Sequence, residues 1–250
     1  MNRIRALWNS DQPAVCNWLQ IPATIHAEAL AGCGWDGIVI DLQHSPIDIT
    51  KAMDMIVAIE KGGAEPLVRL QSNNAAEIMK LLDLGAYGVI APMVETQEQA
   101  KAFASAIHYP PSGTRSFGPR RPLLRYGAGY LQQASASIVA LAMIETRLGL
   151  ENLEAILAVD GLDGVFIGPA DLALALGCEA RPDSNDPIVV EAISEIRSRT
   201  RMAGKRIGIY CASAGFARAK LDEGFDLVTM APDLPALISA SRSALAEVRG

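Results

Sequence analysis

Several apolar segments of the chain end in side chains that could do acid–base, anion-binding or metal chemistry. His44 follows the apolar run in GIVIDLQH, Arg69 follows PLV, Glu145 ends SIVALAMIE, and Asp171 comes after GVFIGPA. A histidine can accept a proton near neutral pH, an arginine can bind a carboxylate or an enolate, and two carboxylates can hold a metal ion. An apolar mouth would have little other use for these four groups together.

Glu145 and Asp171 are the candidate metal ligands. They lie 26 residues apart, close to one strand–helix unit, which would put them on neighbouring strands at one height. Without a Cys or His cluster they are hard oxygen ligands, suited to Mg²⁺ or Mn²⁺. Two other interpretations stay open. Each carboxylate could cap a following helix, as Asp171 could before LALALG, or pair with an arginine such as Arg147.

His44 and Arg69 are the candidate base and anion-binding group. Of the three histidines, His44 stands at a predicted strand end, with Asp41 nearby to orient it. Arg69 would point toward the same mouth, where it could bind a carboxylate, a phosphate or an enolate, or pair with a strand-end carboxylate. We expect structural roles for His26, in a helical stretch, and for His108, before YPP.

The elements that must position these residues follow a repeated pattern. GWDGIVIDLQH, GAYGVIAPMVE, GLDGVFIGPAD and GFDLVTMAPD each join a helix-ending glycine, a turn, an apolar run and a polar cluster, as buried parallel strands do. AVCNWL, EPLVRL, SIVALAMIE and KRIGIYC complete a set of eight strands. Alternation with helices predicts an α/β fold, a (β/α)₈ TIM barrel, with an open doubly wound sheet as the alternative. No early Gly-rich phosphate fingerprint supports the open sheet.

Helical patterns separate the strands. Predicted helices cover 75–85, 150–161, 187–204, 214–224 and, as a closing helix, 235–250. Residues 109–124, YPPSGTRSFGPRRPLL, are the longest irregular stretch. Because no linker or change of composition divides the chain, we predict one barrel domain over residues 1–250, with its active site at the carboxyl ends of the strands.

Composition excludes several classes of protein. Half of the residues are hydrophobic and 20% are charged, unlike a disordered chain. With a net charge of −6 and no basic patch interleaved with aromatic residues, we expect neither nucleic acid nor a membrane surface as a partner. The four cysteines lack CxxC spacing, and we find no membrane span or signal-peptide pattern. We therefore predict a cytoplasmic protein with reduced thiols.

Five stretches, in order along the chain, carry a family resemblance: DLQHSPID, PLVRL, YPPSGTRSFG, MIETRLGLENL and GLDGVFIGPADLA. Together they resemble the HpcH/HpaI aldolases, metal-dependent 4-hydroxy-2-oxo-acid aldolases of the phosphoenolpyruvate/pyruvate barrel superfamily. The resemblance implies reversible cleavage of a 4-hydroxy-2-oxo acid to pyruvate, or a related 2-oxo acid, and an aldehyde through a metal enolate. It implies Mg²⁺, Mn²⁺ or Co²⁺ as cofactor, small-molecule partners, and a place in aromatic or sugar-acid catabolism.

The resemblance also implies a role for each candidate residue. Glu145 and Asp171 would be the metal ligands. His44 would be the proton acceptor, with Asp41 as its partner on the same strand. Arg69 would stabilise the transition state.

Substrate binding is implied for a second set of residues. Gly168, Pro169, Ala170 and Asp171 would surround the pyruvyl group, which Ala170 and Asp171 would bind through backbone N–H groups at a helix start. Met143 stands where members of the family commonly have glutamine. Because methionine cannot donate the hydrogen bond that glutamine would, we expect a change in acceptor preference or in pyruvate affinity.

Asp83, in KLLDLG, matches the aspartate that raises the basicity of the histidine in this family. It would lie at the face of the barrel opposite the site, so the histidine it acts on would belong to a neighbouring subunit. This agrees with family oligomers, often hexamers built as trimers of dimers, whose terminal helices are exchanged. We expect such a homo-oligomer with an exchanged C-terminal helix. Gln43, before His44, replaces a glutamate that many members carry.

Three other activities fit the same scaffold less well. A Schiff-base aldolase needs a lysine inside the barrel, but the six lysines fall on predicted helices or before a strand. An acyl-CoA lyase resembling citrate lyase β chains would need basic residues for the CoA phosphates, which Arg115, Arg120 and Arg121 could supply. A non-catalytic barrel that binds a small acid would bind metal and pyruvate without turnover.

Overall fold

The computed structural model describes residues 2–250 and shows a closed barrel of eight parallel strands. The strands are β1 (Ala14–Leu19), β2 (Gly37–Asp41), β3 (Glu65–Arg69), β4 (Gly88–Ala91), β5 (Val139–Ile144), β6 (Gly164–Ile167), β7 (Arg206–Tyr210) and β8 (Leu227–Pro232). Each strand pairs with the next, and β8 pairs with β1. The predicted (β/α)₈ barrel is therefore confirmed, and the open doubly wound sheet is wrong.

Alternation along the strands divides the apolar core into two clusters. Val39 and Leu67 pack inside the barrel, whereas their neighbours along each strand pack between the sheet and the helices. Two positions further along the same strands stand Asp41 and Arg69, and Glu145 has the same relation to the interior residues of β5. The alternation therefore turns three polar side chains toward the barrel axis at its carboxyl end.

Helices surround the barrel and close one of its ends. They are α1 (Arg3–Asn9), α2 (Thr24–Ala31), α3 (Ile49–Gly62), α4 (Ala75–Asp83), α5 (Gln97–Ile107), α6 (Arg120–Tyr126), α7 (Tyr130–Ser137), α8 (Arg147–Glu151), α9 (Leu153–Leu157), α10 (Pro169–Ala175), α11 (Pro187–Met202), α12 (Ala214–Asp222) and α13 (Asp233–Arg249), with a 3₁₀ turn at Gly127–Gly129. Ile4 and Trp8 of α1 are buried against the interior cluster, at the amino-terminal end of the strands. Among the described residues, no helix is both long and apolar enough to cross a membrane.

Two predicted segments differ from the structure. The single helix predicted over 150–161 is wrong: α8 ends at Glu151, α9 covers Leu153–Leu157, and the two short helices meet at Asn152. At this junction the Asn152 side chain donates a hydrogen bond to the Glu95 carbonyl, 2.8 Å away, in the loop after β4. The stretch 109–124, predicted to be irregular, contains the start of α6. The one proline of α6, Pro122, lies in the first turn of the helix, where no helical N–H bond is lost.

The closing helix α13 begins at a buried anchor and then leaves the barrel. The Asp233 carboxylate accepts hydrogen bonds from the backbone N–H groups of Gln20 (2.8 Å) and Ile21 (3.1 Å). It also lies 3.0 Å from His26 Nε2, a structural contact of the kind expected for that histidine. Beyond Asp233 every residue of α13 is exposed, apolar Leu237 included. Exchange of this helix between subunits stays a prediction.

Candidate active site

A cavity of about 210 Å³ opens at the carboxyl end of the barrel strands. It is lined by Trp18, Gln20, His44, Arg69, Met143, Gly168, Pro169, Ala170, Asp171, Pro182, Tyr210 and Pro232. This lining includes seven of the residues predicted from the sequence, from His44 to Asp171. Asp41 and Glu145 lie behind it, because Asp41 binds Arg69 and Glu145 lies against Gly168.

Arg69 is held by Asp41 in a two-point ion pair. The two residues are register partners at the ends of β3 and β2. Arg69 Nε lies 2.9 Å from Asp41 Oδ1, and Nη2 lies 2.6 Å from Oδ2. Burial by itself would raise the pKa of Asp41, but the hydrogen bonds and charge of Arg69 hold that pKa below its ordinary value. The guanidinium also stacks over the Trp18 ring, 4.9 Å from its centroid, so its position is fixed from two sides.

This arrangement corrects the expected role of Asp41 as the residue that orients the imidazole. Asp41 Oδ1 accepts hydrogen bonds from the backbone N–H groups of Gln43 (3.1 Å) and His44 (3.2 Å), so it shapes the loop after β2 rather than contacting the imidazole. The His44 side chain is exposed at the mouth of the cavity. Sequence spacing could not distinguish these roles, because it shows that His44 is three residues from Asp41 but does not show that Arg69 is its register partner on the neighbouring strand.

Glu145 is a buried carboxyl at the end of β5, with only 2% of the residue exposed. Its Oε1 accepts a hydrogen bond of 2.8 Å from the Met93 backbone N–H. Burial raises the pKa of Glu145 to about 7, and the Asp171 charge adds to that shift while the Met93 N–H opposes it. The alternative pairing of Glu145 with Arg147 is wrong, since Arg147 Nη2 donates to the Ala175 carbonyl at 3.1 Å.

Asp171 stands in the first turn of α10, exposed at the cavity wall. It is not the N-cap, which is Gly168, followed by Pro169 at the first helical position. Gly168 is required here by space: a Cβ at this position would lie 2.4 Å from Glu145 Oε2 and 2.9 Å from the Met143 methyl carbon. The missing side chain therefore leaves room for one oxygen of Glu145 beneath the start of α10.

The carboxylate pair fits a hard divalent cation. Glu145 uses Oε1 in its hydrogen bond with Met93, and Oε2 lies under Gly168 beside the charge of Asp171. A cation between the two carboxylates would offset both the burial of Glu145 and the repulsion from Asp171. Within residues 2–250, no group of three or more His, Cys, Asp and Glu side chains is placed to hold an ion. A site on two carboxylates leaves coordination positions for water and substrate, as Mg²⁺ commonly requires.

Asp83 lies away from these residues in the same chain. It ends α4, at the opposite end of the barrel, and its Oδ1 accepts a hydrogen bond of 2.9 Å from Arg115 Nη2. Arg115 is itself buried, stacks over Tyr109 and donates to the Tyr130 hydroxyl at 3.2 Å. The structure of one chain does not bring Asp83 to a histidine, and its action on a histidine of a neighbouring subunit stays a prediction.

Several residues of the cavity were not found from the sequence. Trp18 ends the interior row of β1, Tyr210 ends β7, and Gln20 follows β1. The candidates predicted at the strand ends were mainly charged groups and a histidine, whereas these three residues are aromatic or neutral. The available signal was strand alternation, because Trp18 lies two residues after the interior Cys16. Among the described residues, no lysine lines the cavity.

Comparisons with known proteins show which family this chain resembles in sequence and in fold. The family model described as HpcH/HpaI aldolase/citrate lyase matches residues 16–240. The chain is 59% identical to the hydroxypyruvate/pyruvate aldolase of Rhizorhabdus wittichii over 100% of this chain and 99% of that protein. It is 36% identical to the 2-dehydro-3,6-dideoxy-6-sulfogluconate aldolase of Pseudomonas putida, over 93% and 91% of the two chains. A crystal structure of an HpcH/HpaI aldolase/citrate lyase family protein from Burkholderia cenocepacia has a TM-score of 0.91 at 30% identity, over 100% of both chains.

Proposed function

This chain belongs to the HpcH/HpaI aldolase/citrate lyase family and is a carbon–carbon lyase, and we propose that it is a metal-dependent pyruvate aldolase. Its reaction is the reversible cleavage of a 4-hydroxy-2-oxo acid into pyruvate, or a related 2-oxo acid such as hydroxypyruvate, and an aldehyde. One observation carries this proposal: the Arg69–Asp41 ion pair and the carboxylates of Glu145 and Asp171 meet at one cavity.

Glu145 and Asp171 would hold the divalent cation, Mg²⁺, Mn²⁺ or Co²⁺. When bound, the ion supplies Lewis-acid polarisation of the 2-keto group. The first N–H groups of α10, at Ala170 and Asp171, lie where they can bind the carboxylate of the 2-oxo acid. Gly168 and Pro169 shape the floor of this subsite.

His44 and Arg69 have the two remaining roles, removal of the hydroxyl proton and stabilisation of the enolate. His44 accepts the proton of the 4-hydroxyl, the C3–C4 bond breaks, and its electron pair moves to the enolate of pyruvate as the aldehyde leaves. Arg69 stabilises that enolate; its Nε and Nη2 are bound to Asp41, which leaves Nη1 for the substrate. Protonation of C3 then gives pyruvate, and synthesis follows the same path in reverse.

The acyl-CoA lyase alternative is weakened by the basic residues it would need. Arg115 is bound to Asp83 at 2.9 Å, and Arg121 is paired with Glu60. These two arginines and their two carboxylate partners belong to segments at the amino-terminal end of the strands, away from the cavity. No basic cluster for CoA phosphates is therefore present at the cavity mouth among the described residues, where Arg69 is engaged by Asp41.

Proton exchange tests the proposed function. In D₂O with Mg²⁺ or Mn²⁺, pyruvate should exchange its C3 protons at a rate proportional to the concentration of the protein. Proton NMR measures this exchange directly. A non-catalytic barrel would bind pyruvate without exchange, and that result would overturn the proposal. An aldehyde screen with pyruvate, hydroxypyruvate and 2-oxobutyrate would then identify the substrate pair.

We also propose that the protein works as a homo-oligomer, a hexamer built as a trimer of dimers, with α13 exchanged between subunits. Support comes from the exposed apolar side chains of α13, which no other part of the described chain covers: Leu234, Leu237, Ile238, Leu245 and Val248. In this arrangement Asp83 acts on the histidine of a neighbouring copy. Light scattering of the whole protein should give a mass of six chains. L237D/I238D should reduce that mass, and an unchanged mass would argue against the exchanged helix.

A further inference from the structure

Gln20 is a cavity residue whose side chain and backbone are both held in place. Its Nε2 donates a hydrogen bond of 3.1 Å to Asp41 Oδ2, the oxygen that also binds Arg69 Nη2. Its backbone N–H donates to Asp233 Oδ1 at 2.8 Å. Gln20 is therefore attached to the ion pair through its side-chain amide and to the start of α13 through its backbone N–H.

These contacts determine which way the amide faces. An ionised carboxylate can only accept hydrogen bonds, so Asp41 must be met by the NH₂ group of Gln20. Rotation of the amide by 180° would place its carbonyl oxygen against the carboxylate. The Oε1 atom is left as an acceptor, and among residues 2–250 no donor is hydrogen-bonded to it. Gln20 lines the cavity together with the aromatic residue Trp18 and the apolar Pro232.

We infer that Gln20 is a specificity-determining residue, whose Oε1 accepts a hydrogen bond from a hydroxyl group of the substrate. The inference rests on the proposed aldolase function. A fixed acceptor in a largely apolar wall favours a substrate that can donate to it, because the analogue without the hydroxyl leaves the oxygen without water or a partner. The hydroxyl can belong to the 2-oxo acid, at C3, or to the aldehyde. In both cases a hydroxyl group donates to Oε1, and experiment can tell which of the two reactants carries it.

Matched substrate pairs separate the two sources. One series compares hydroxypyruvate with pyruvate at a fixed aldehyde, and the other compares glycolaldehyde with acetaldehyde at fixed pyruvate. The variants are Q20M, which keeps the length but loses the amide, and Q20K, which keeps a donor toward Asp41 but has no acceptor. In at least one series, we expect both variants to lose about threefold to tenfold of the preference in kcat/KM for the hydroxylated substrate.

The ratio between substrates distinguishes specificity from positioning. If Gln20 only supports Asp41 and Arg69, Q20M should slow both members of each pair equally, and Q20K should restore the rate. A ratio within twofold of the unmodified protein in both series would overturn the inference. Loss of the preference in Y210F, with no loss in Q20M and Q20K, would also overturn the inference, since the hydroxyl of Tyr210 is another neutral hydrogen-bonding group of the wall.

Failure of the proposed function would give a different result. Without turnover, the unmodified protein would show no C3 proton exchange of pyruvate. The same comparison would then be made as dissociation constants for hydroxypyruvate and pyruvate by titration calorimetry, which requires no reaction. Loss of the binding preference in Q20M and Q20K would support the role of Gln20. Equal affinities of the unmodified protein for hydroxypyruvate and pyruvate, together with equal affinities for glycolaldehyde and acetaldehyde, would overturn it.

Discussion

Asp41 and Arg69 face each other across two paired strands, and their side chains form a buried ion pair with contacts of 2.9 and 2.6 Å. Each is the last residue of its strand and points toward the barrel axis. The pair compensates the burial of both charges and leaves part of the guanidinium facing the cavity. The Asp41 carboxylate thus holds the Arg69 guanidinium at the cavity and does not contact the His44 imidazole.

Replacement of Asp41 tests that relationship. D41N keeps the shape of the side chain but removes the charge, which should free Arg69 to move and lower kcat by about tenfold to a hundredfold. Steady-state kinetics would show the loss, with D54N, at a half-exposed carboxylate of α3, as the matched control. A kcat within twofold of the unmodified protein would show that Asp41 does not position Arg69.

Loss of the guanidinium itself should have a larger effect. R69A should reduce kcat by about 10² to 10³, the cost of removing one donor to a developing oxyanion, whereas R147A at an exposed site should not. R69K should recover only part of the loss, because an ammonium cannot form the two-point contact with Asp41. A change confined to KM would make Arg69 a binding residue only.

Gly168 offers a test that removes no functional group from the site. In G168A the new Cβ would lie 2.4 Å from Glu145 Oε2, so Glu145 must move or lose its oxygen position. We expect binding of Mn²⁺, followed by calorimetry, to weaken at least about tenfold, with a small loss of stability. G215A in α12 is the control, because its Cβ meets nothing within 4 Å. Equal Mn²⁺ affinity in both variants would remove Glu145 from the ligand set.

The raised pKa of Glu145 predicts a pH dependence of stability in protein kept free of metal. Burial holds this pKa near about 7, above the value of 4.5 for an ordinary glutamate. The folded protein therefore binds one more proton than the unfolded chain between those values, and its free energy of unfolding falls as the pH rises through this window. E145Q removes the titration. The unmodified protein should lose on the order of 2 kcal/mol relative to E145Q between pH 5 and pH 8, measured by urea unfolding.

His44 is predicted to be the base. H44A should lower the rate of C–C cleavage by about 10² to 10⁴, the usual contribution of a positioned proton acceptor, while the affinity for pyruvate changes little. Single-turnover cleavage and calorimetric titration with pyruvate measure the two effects separately. Equal losses in both would count against a base and in favour of a binding role.

The sequence predicted the barrel because the information was local. Most strands are apolar runs followed by polar residues, and the repeated Gly-turn-strand pattern marked where helices stop, as at Gly224 after α12 and before β8. Prediction was less accurate where contacts come from elsewhere in the chain, as at the junction of α8 and α9, where the Asn152 side chain binds the Glu95 carbonyl. The partner of Asp41 was likewise a residue of another strand, which spacing along the chain does not reveal.

By itself the sequence determined the residue types that end each strand and, through alternation, the side of the strand on which they stand. Strand order and alternation are therefore enough to assign His44, Arg69, Glu145 and Asp171 to one end of a barrel. Only the tertiary structure decided which of them touch. Register paired Asp41 with Arg69, and barrel closure set Gln20 beside both Asp41 and the start of α13. Contact distances and burial arise from strands that are remote in sequence, and closing the barrel is what brings those strands together.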